Sequence, residues 1–349
     1  MNNFNDIEAI RKIDPRDTLG STDQVVKQCQ AAWEDVHKLQ LPESIGEIKN
    51  IVCCGMGASI YGGLVLKSVL GRNTPYPIDI VSDYHIPAYV NEHTLVILTS
   101  YSGTTEETLS CAHEAKALGA KILIITRGGP LADLAKTNNY PAYIFDPKLN
   151  PAGVPRLGNG YTIVGLLGIL SRLNVIDLEE QEISDSLIRL AEKQADLKKK
   201  ALADHDKFIT KIPVIIAAEH LAGNAQILRN QFNETSKTFS CFFMVPDLNH
   251  HLMEGLQFPA NSPLQFILLQ TRNYEAKISQ RMLLTEEVVK QNNHEIFSFT
   301  TSGSTIYEDF FETLVYGSYL TLYLGLAHDQ NPAINPFVDY FKEQLSKSK

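Results

Sequence analysis

The first half of the chain alternates short apolar runs with helix-length segments, and this rhythm limits the folds open to it. Runs rich in β-branched residues, bounded by turn-forming residues, are typical of strands. Between residues 50 and 146 they are Ile51–Cys54, Ile78–Val81, Leu95–Thr99, Ile122–Thr126 and Ala142–Phe145. Strands separated by helix-length segments form parallel sheets with crossover helices. The sequence therefore predicts an α/β domain here.

The second half repeats the rhythm. Its predicted strands are Val214–Ala217, Cys241–Val245, Gln265–Leu269 and Ile296–Thr300. A chain of 349 residues also exceeds the roughly 250–300 residues at which a single hydrophobic core stops growing. We predict an α/β fold of two related domains, each a mostly parallel sheet flanked by helices.

The segments outside the predicted sheets have helical composition. In the first 45 residues, Val25, Trp33, Val36 and Leu39 stand at helical spacing, which predicts packing on the first domain. Residues 179–208 are rich in Glu, Lys, Asp and Leu with few helix breakers, which favours a connecting helix. The predicted division is a helical segment 1–45, a first domain 46–178, the connecting helix 179–208, and a second domain 209–349 that includes C-terminal helices.

Composition narrows the function classes. The formal charge of −9 comes without a basic stripe, which disfavours nucleic acid as a partner. The longest apolar run, Tyr161 to Leu170, is far shorter than the ~20 residues of a membrane span, so we expect no membrane insertion. Met1 to Arg16 lacks a signal-peptide core, and the five cysteines form no C-x-x-C pair. We expect a cytoplasmic protein.

The first candidate site is Gly55-Met-Gly-Ala-Ser59, directly after a predicted strand. Glycines at this point permit a tight turn whose backbone amides face a ligand. Ile60 stands where a dinucleotide fingerprint has its third glycine, which counts against a dehydrogenase. A purely structural turn and a ligand-binding turn both remain open.

The second candidate is Ser100-Tyr-Ser-Gly-Thr-Thr-Glu-Glu107, which follows the strand Leu95–Thr99 and opens a helix running to Gly119. Thr104 and Glu107 have capping-box spacing, which predicts a purely structural role for that pair. Four hydroxyl side chains at the carboxyl end of a strand and the start of a helix also favour a neutral phosphate cradle.

Arg156 lies in a Pro/Gly-rich loop between the two predicted domains. It is either a solvated cation or a partner for an anion, and its position facing the second domain favours the anion.

Glu234 and Lys237 end the run Asn230-Gln-Phe-Asn-Glu-Thr-Ser-Lys237. Their spacing favours an ordinary surface pair at i,i+3 over a functional role, and both interpretations remain open.

His250 and His251 precede Glu254 in an H-H-x-x-E pattern. Adjacent histidines do not share a helix face and no third ligand cluster is evident, so an acid/base histidine is favoured over a metal site.

Taken together and in this order, these stretches resemble the family of bifunctional phosphoglucose/phosphomannose isomerases, built from two sugar-isomerase (SIS) domains. The matching stretches are GMGASI (55–60), SYSGTTEET (100–108), VPR (154–156), NQFNETSK (230–237) and NHHLMEG (249–255). The chain departs from the family pattern at Ala58, at Thr104 and in the run from His250 to Glu254.

The resemblance implies a role for each matching residue. Glu234 would be the base, Arg156 would stabilise the enediolate, and His250, reaching the partner subunit's site, would open the sugar ring. The phosphate and neighbouring sugar oxygens would be bound by Gly57, Ser59, Ser100, Ser102 and Thr105, with Lys342 matching a C-terminal family lysine.

The implied activity is a metal-independent, cofactor-free interconversion of glucose 6-phosphate or mannose 6-phosphate with fructose 6-phosphate. The implied assembly is a homodimer with shared active sites. A non-catalytic sugar-phosphate sensor is the alternative, and the presence of both Glu234 and His250 argues against it.

Overall fold

The computed structural model describes residue 4 and residues 7–347. Residues 1–3, 5–6 and 348–349, which belong to the predicted N-terminal segment and second domain, lie outside the described residues. Two parallel sheets organise the rest of the chain. The first contains β1 (Asn50–Cys54), β2 (Ile78–Val81), β3 (Thr94–Thr99), β4 (Lys121–Thr126) and β5 (Ala142–Ile144).

The second sheet has the same character. It contains β6 (Ile212–Ala218), β7 (Cys241–Val245), β8 (Leu264–Gln270) and β9 (Glu295–Thr300), all paired in parallel. Every strand predicted from the sequence is present, with ends that differ by no more than one or two residues. The predicted α/β fold with two parallel sheets is confirmed.

The strand order places the loops that matter for binding. It is β2-β1-β3-β4-β5 in the first sheet and β7-β6-β8-β9 in the second. In the first sheet the chain leaves β1 for one side and returns to β3 on the other. The carboxyl ends of β1 and β3 therefore form a switch point, where open α/β sheets bind ligands. The turns that follow these two strands are neighbours.

Helices cover both sheets. They are α1 (Ile7–Ile13), α2 (Thr18–Asp23), α3 (Val25–Lys38), α4 (Tyr61–Val65), α5 (Glu106–Ala117), α6 (Gly129–Asn138), α7 (Asn159–Arg172), α8 (Glu180–Asp204), α9 (Ala222–Glu234), α10 (Leu252–Gly255), α11 (Ala276–Gln291), α12 (Ile306–Ala327) and α13 (Pro336–Lys347).

Helix packing follows the apolar faces. α3 packs on α7 and buries Val25, Trp33 and Val36, as their spacing predicts. α8 packs on α12 through Ile183, Leu187 and other apolar side chains, and it ends four residues before the predicted helix limit because a 3-10 turn covers His205–Phe208.

α4 and α9 touch and join the two sheets into one continuous hydrophobic core. α12 is buried along nearly its whole length, which explains its apolar composition on all faces. In the described part of the chain, no helix is both long and apolar enough to cross a membrane.

Candidate active site

The turn after β1 brings the first sheet's loops into close contact. Gly57 has a left-handed backbone, and a side chain at Gly55 would come within 2.9 Å of the Thr99 carbonyl oxygen at the end of β3. The Ser59 hydroxyl accepts a hydrogen bond of 3.1 Å from the backbone N–H of Tyr101. The two glycines thus allow the turn to lie against the next one, and Ser59 links the two turns.

The turn after β3 carries the predicted hydroxyl cluster. The hydroxyl oxygens of Ser100 and Thr105 lie 2.7 Å apart, and those of Ser102 and Thr104 lie 2.9 Å apart. Gly103 donates its N–H to the Ser100 hydroxyl at 3.0 Å. Four hydroxyls therefore converge at the N-terminus of α5, where the helix dipole favours an anion.

The predicted capping box is wrong. Thr105, not Thr104, occupies the N-cap position of α5, and its side chain makes no capping hydrogen bond. The Thr104 hydroxyl instead bonds to Ser102. Because the turn extends one residue further than the spacing suggested, Thr105 is held by Ser100 within the cluster and not by the helix it precedes.

Arg156 is held in a buried position between the two sheets. It lies in a 3-10 turn, Pro155–Leu157, and is only 5% exposed. Its Nη1 atom is 3.6 Å from Oε2 of Glu234, and its Nε donates to the Thr235 hydroxyl at 3.2 Å. Burial lowers the pKa of Arg156, while Glu234 acts in the opposite direction. The guanidinium is still a cation at neutral pH because its intrinsic pKa is so high.

Glu234 is the last residue of α9, and its side chain is 32% exposed. Its Oε2 atom also accepts a hydrogen bond of 3.3 Å from the side-chain amide of Asn335. A carboxylate that is partly open to solvent and next to a fixed cation is a suitable proton acceptor for a bound substrate. The structure thus brings together Arg156 and Glu234, which lie far apart in the sequence.

The predicted surface pair of Glu234 and Lys237 is also wrong. Lys237 does not bond to the Glu234 carboxylate; its ammonium donates to the backbone carbonyls of Glu234 and Ile334 and, at 3.1 Å, to the Asn335 side chain. Burial, followed by the charge of Arg156, lowers the pKa of Lys237 to about 8. Lys237 belongs to the site, which its spacing in the sequence did not indicate.

Tyr61, like Lys237, lies at the site although no sequence motif indicated it. It begins α4 directly after the Gly57–Ile60 turn and is fully buried. Burial and then the Glu234 carboxylate raise the pKa of its phenol, whereas the Asn230 side chain and Arg156 lower it. Tyr61 therefore lies close enough to Glu234 and Arg156 for their charges to act on its phenol.

These parts form one region. The Gly57–Ile60 turn contacts both the Pro155–Leu157 turn and α9. The Tyr101 ring packs so closely on Gly158 that a side chain there would collide with it. The hydroxyl cluster, the buried arginine and the carboxylate consequently lie in neighbouring segments of the fold.

His250 and Lys342 are not brought to this region. His250 is exposed in a 3-10 turn that follows the edge strand β7, and Lys342 is exposed on α13. Within the described residues, neither makes a hydrogen bond or ion pair with Arg156 or Glu234. Their assignments remain predictions.

The H-H-x-x-E residues that make hydrogen bonds, His251 and Glu254, bond to neighbours outside the pattern. His251 bonds to Asp247 at 3.3 Å, and Glu254 accepts from Gln257 at 3.2 Å. Across residues 7–347, no group of three or more His, Cys, Asp or Glu side chains is arranged to hold a metal ion. All five cysteines are free.

Comparison with known proteins agrees with this architecture. Residues 44–143 match the family model of the SIS domain, and residues 197–345 match the bacterial phospho-glucose isomerase C-terminal SIS domain. A bifunctional phosphoglucose/phosphomannose isomerase from Caldicellulosiruptor bescii is 28% identical over 337 residues, which cover 93% of this chain and 97% of the relative.

Two further proteins extend the comparison. The enzyme of the same name from Aquifex aeolicus is 27% identical over 321 residues, covering 91% of this chain and 95% of the relative. A hypothetical protein from Thermus thermophilus superposes with a TM-score of 0.69 at 16% identity, covering 97% of this chain and 92% of the other, which shows a shared fold.

Fold and site together define a protein with two SIS domains and an arginine–carboxylate pair between them. The relatives from Caldicellulosiruptor bescii and Aquifex aeolicus share one name, and each matches more than nine-tenths of the chain. The chain has two SIS domains and is similar over nearly its whole length to bifunctional phosphoglucose/phosphomannose isomerases, which agrees with the resemblance noted in the sequence.

Proposed function

We propose that this protein is a metal-independent aldose–ketose isomerase that interconverts glucose 6-phosphate or mannose 6-phosphate with fructose 6-phosphate. The observation that carries the proposal is the pairing of Glu234 with the buried Arg156, at 3.6 Å, beside the hydroxyl-rich turn. A base, a fixed cation and an anion cradle are what this reaction requires.

The chemistry follows from these groups. The Glu234 carboxylate takes the proton from C2 of the open-chain aldose, and the C–H electron pair forms the C1–C2 double bond of an enediolate. Negative charge develops on the former C1 carbonyl oxygen, where the Arg156 guanidinium stabilises it. Glu234 then returns the proton to C1, while the proton of the C2 hydroxyl passes to the C1 oxygen, so that C2 becomes the ketose carbonyl carbon and the C1 oxygen becomes a hydroxyl.

The phosphate is assigned to the two turns at the carboxyl ends of β1 and β3. Gly57 and Ser59 contribute from the first turn, and Ser100, Ser102 and Thr105 from the second. Hydroxyl and amide donors at a helix N-terminus bind a phosphate without a cationic side chain. This assignment leaves Arg156 for the reacting oxygens.

The assembly is proposed to be a homodimer in which His250 serves the partner's site. His250 is exposed and, among the described residues, makes no bond to Glu234 of its own chain, which is the arrangement a shared site requires. α13 supports an interface because Phe337, Tyr340 and Phe341 are all more than 60% exposed. We place the enzyme in the cytoplasm and retain the domain limits 46–178 and 209–349 as part of the proposal.

A coupled assay tests the activity. Fructose 6-phosphate formation is followed from glucose 6-phosphate and, separately, from mannose 6-phosphate, each with and without a chelator. We expect turnover of at least one aldose that survives chelation. Loss of activity on chelation with recovery on adding zinc would contradict the metal-independent mechanism. Stabilisation of the protein by sugar phosphates without any turnover would favour the non-catalytic binding protein.

A further inference from the structure

The segment 331–335, which links α12 to α13, lies directly over the catalytic pair. Arg156 donates through Nη2 to the Pro332 carbonyl, and Lys237 donates to the Ile334 carbonyl. Ala333 is buried against Ala152 and Val154, in the loop that leads to Arg156. The segment is therefore held both by the loop that leads to Arg156 and by Lys237, just after α9.

Asn335 ends this segment and touches the catalytic carboxylate. Its Nδ2 lies 3.3 Å from Oε2 of Glu234, and its Oδ1 lies 3.1 Å from Nζ of Lys237. A lysine ammonium only donates hydrogen bonds, and a carboxylate only accepts them. The amide of Asn335 consequently has one allowed orientation, with its carbonyl towards Lys237 and its N–H towards Glu234.

Arg156 and Asn335 both contact the same carboxylate oxygen of Glu234. Oε2 faces Nη1 of Arg156 and Nδ2 of Asn335, whereas Oε1 accepts no hydrogen bond from any residue that the structure describes. With Oε2 hydrogen-bonded to Asn335 and ion-paired with Arg156, the rotation of the carboxylate is restricted and Oε1 is left available to a substrate. An unrestrained glutamate at the end of a helix would instead sample several rotamers.

We propose that Asn335 is a positioning residue for the base, oriented by Lys237 and aiming Oε1 of Glu234 at the substrate C2 proton. The inference rests on the proposed function, because it presumes that Glu234 transfers the proton. Positioning by Asn335 is needed in the transition state more than in binding, since substrate binding is assigned to the turns after β1 and β3. Its loss should lower kcat and leave KM nearly unchanged.

The test compares Asn335→Ala and the isosteric Asn335→Asp with a control, Asn331→Ala. Asn331 accepts the Ala333 N–H at 2.9 Å and supports the same segment without touching Glu234. Because a 1 Å misplacement costs on the order of 100-fold in rate, we expect kcat to fall about 10- to 100-fold in both Asn335 variants. The control should keep kcat within about twofold even where its melting temperature falls.

A second measurement distinguishes mispositioning of Glu234 from a loss of protein stability. With glucose 6-phosphate carrying deuterium at C2, a misaligned base makes proton abstraction more rate-limiting, so the isotope effect on kcat should rise in the Asn335 variants and stay at the wild-type value in Asn331→Ala. Asn335→Gln keeps both the donor and the acceptor and should recover part of the lost kcat. If Asn335→Ala does not fold, Asn335→Asp carries the same comparison.

An unchanged kcat in Asn335→Asp, or a loss matched by Asn331→Ala, would overturn the positioning role. Failure of the proposed function has a different signature. If Glu234→Gln is active, Glu234 is not the base; if Glu234→Gln is inactive while the Asn335 variants behave as wild type, only the inference about Asn335 fails.

Discussion

At the scale of single residues, the site depends on one buried cation and the carboxylate that accompanies it. Arg156 is 5% exposed, and Glu234 is the carboxylate placed against it. A buried charge is tolerated only with a partner and hydrogen bonds, which here come from Glu234, Thr235 and the Pro332 carbonyl. The proposed base is therefore also a structural counter-ion.

This double role shapes the expected behaviour of Glu234→Gln. The exchange keeps size and hydrogen-bonding reach but removes the basic oxygen, so turnover should fall at least ~10²–10⁴-fold, the usual contribution of a general base. Binding should persist, measured as a sugar-phosphate-induced rise in melting temperature. The free protein should melt somewhat lower because Arg156 loses its anionic partner. Near-normal turnover would exclude Glu234 as the base.

Lys237 gives a second test at this scale, through pH. Its pKa is lowered to about 8 in the folded protein, from an ordinary value of 10.5. Between these two pH values the unfolded chain holds more protons, so the contribution of Lys237 to the free energy of unfolding rises as pH increases from 8 to 10.5. Denaturant unfolding at several pH values should show this slope in the wild type and a smaller one in Lys237→Met. Equal slopes would show that the Lys237 pKa is not lowered.

At the scale of elements, the hydroxyls of the turn between β3 and α5 are assigned to phosphate binding and not to helix capping. Thr105 stands at the N-cap but its side chain makes no capping bond, and the hydroxyls of Ser100, Ser102 and Thr104 bond within the turn. Removing these hydroxyls should therefore affect an anion more than it affects α5. The backbone amides and the helix dipole stay in place.

We expect the double variant Ser102→Ala/Thr105→Ala to raise KM for the sugar phosphate. Hydrogen bonds to a charged group contribute about 1.5–3 kcal/mol each, which predicts a loss in kcat/KM on the order of 10²–10⁴-fold for the pair. Inorganic phosphate should also raise the melting temperature less than in the wild type. Ser110→Ala, further along α5, is the control. An unchanged KM and an unchanged phosphate effect would show that the phosphate site lies elsewhere.

At the scale of the whole molecule, the prediction concerns the partner subunit. In a shared-site dimer, each active site takes Glu234 from one chain and His250 from the other. A mixed dimer of Glu234→Gln and His250→Ala then contains one site with both residues intact. Random exchange makes half of the dimers mixed, so activity should return to about a quarter of the wild-type value.

The control for this experiment mixes two differently tagged preparations of Glu234→Gln, which should regain nothing. Subunit exchange is verified by mass measurement of the mixed species. Mixed dimers that form but stay inactive would place His250 in its own chain's site or outside catalysis.

Much of the fold was determined by the sequence alone. Strands such as Ile51–Cys54 and Cys241–Val245 are short, apolar and β-branched or aromatic, so local preference and burial agree on the same structure. The switch-point turns were also predictable, because they follow directly from the strands they terminate. Glycine and hydroxyl residues at those points need only local backbone geometry to form a ligand turn.

Tertiary structure alone decided which distant residues meet. Arg156, Glu234 and Asn335 come together because the two sheets pack through α4 and α9 and because the 331–335 segment folds back over them. The spacing of Lys237 predicts a surface pair with Glu234. In the fold Lys237 instead bonds to Asn335 and lies near enough to Arg156 for that charge to lower its pKa. The N-cap of α5 is Thr105, one residue later than the spacing predicts, because backbone torsion and not residue spacing decides the cap. Local preferences act over a few residues, whereas contacts across the chain depend on how the finished elements pack.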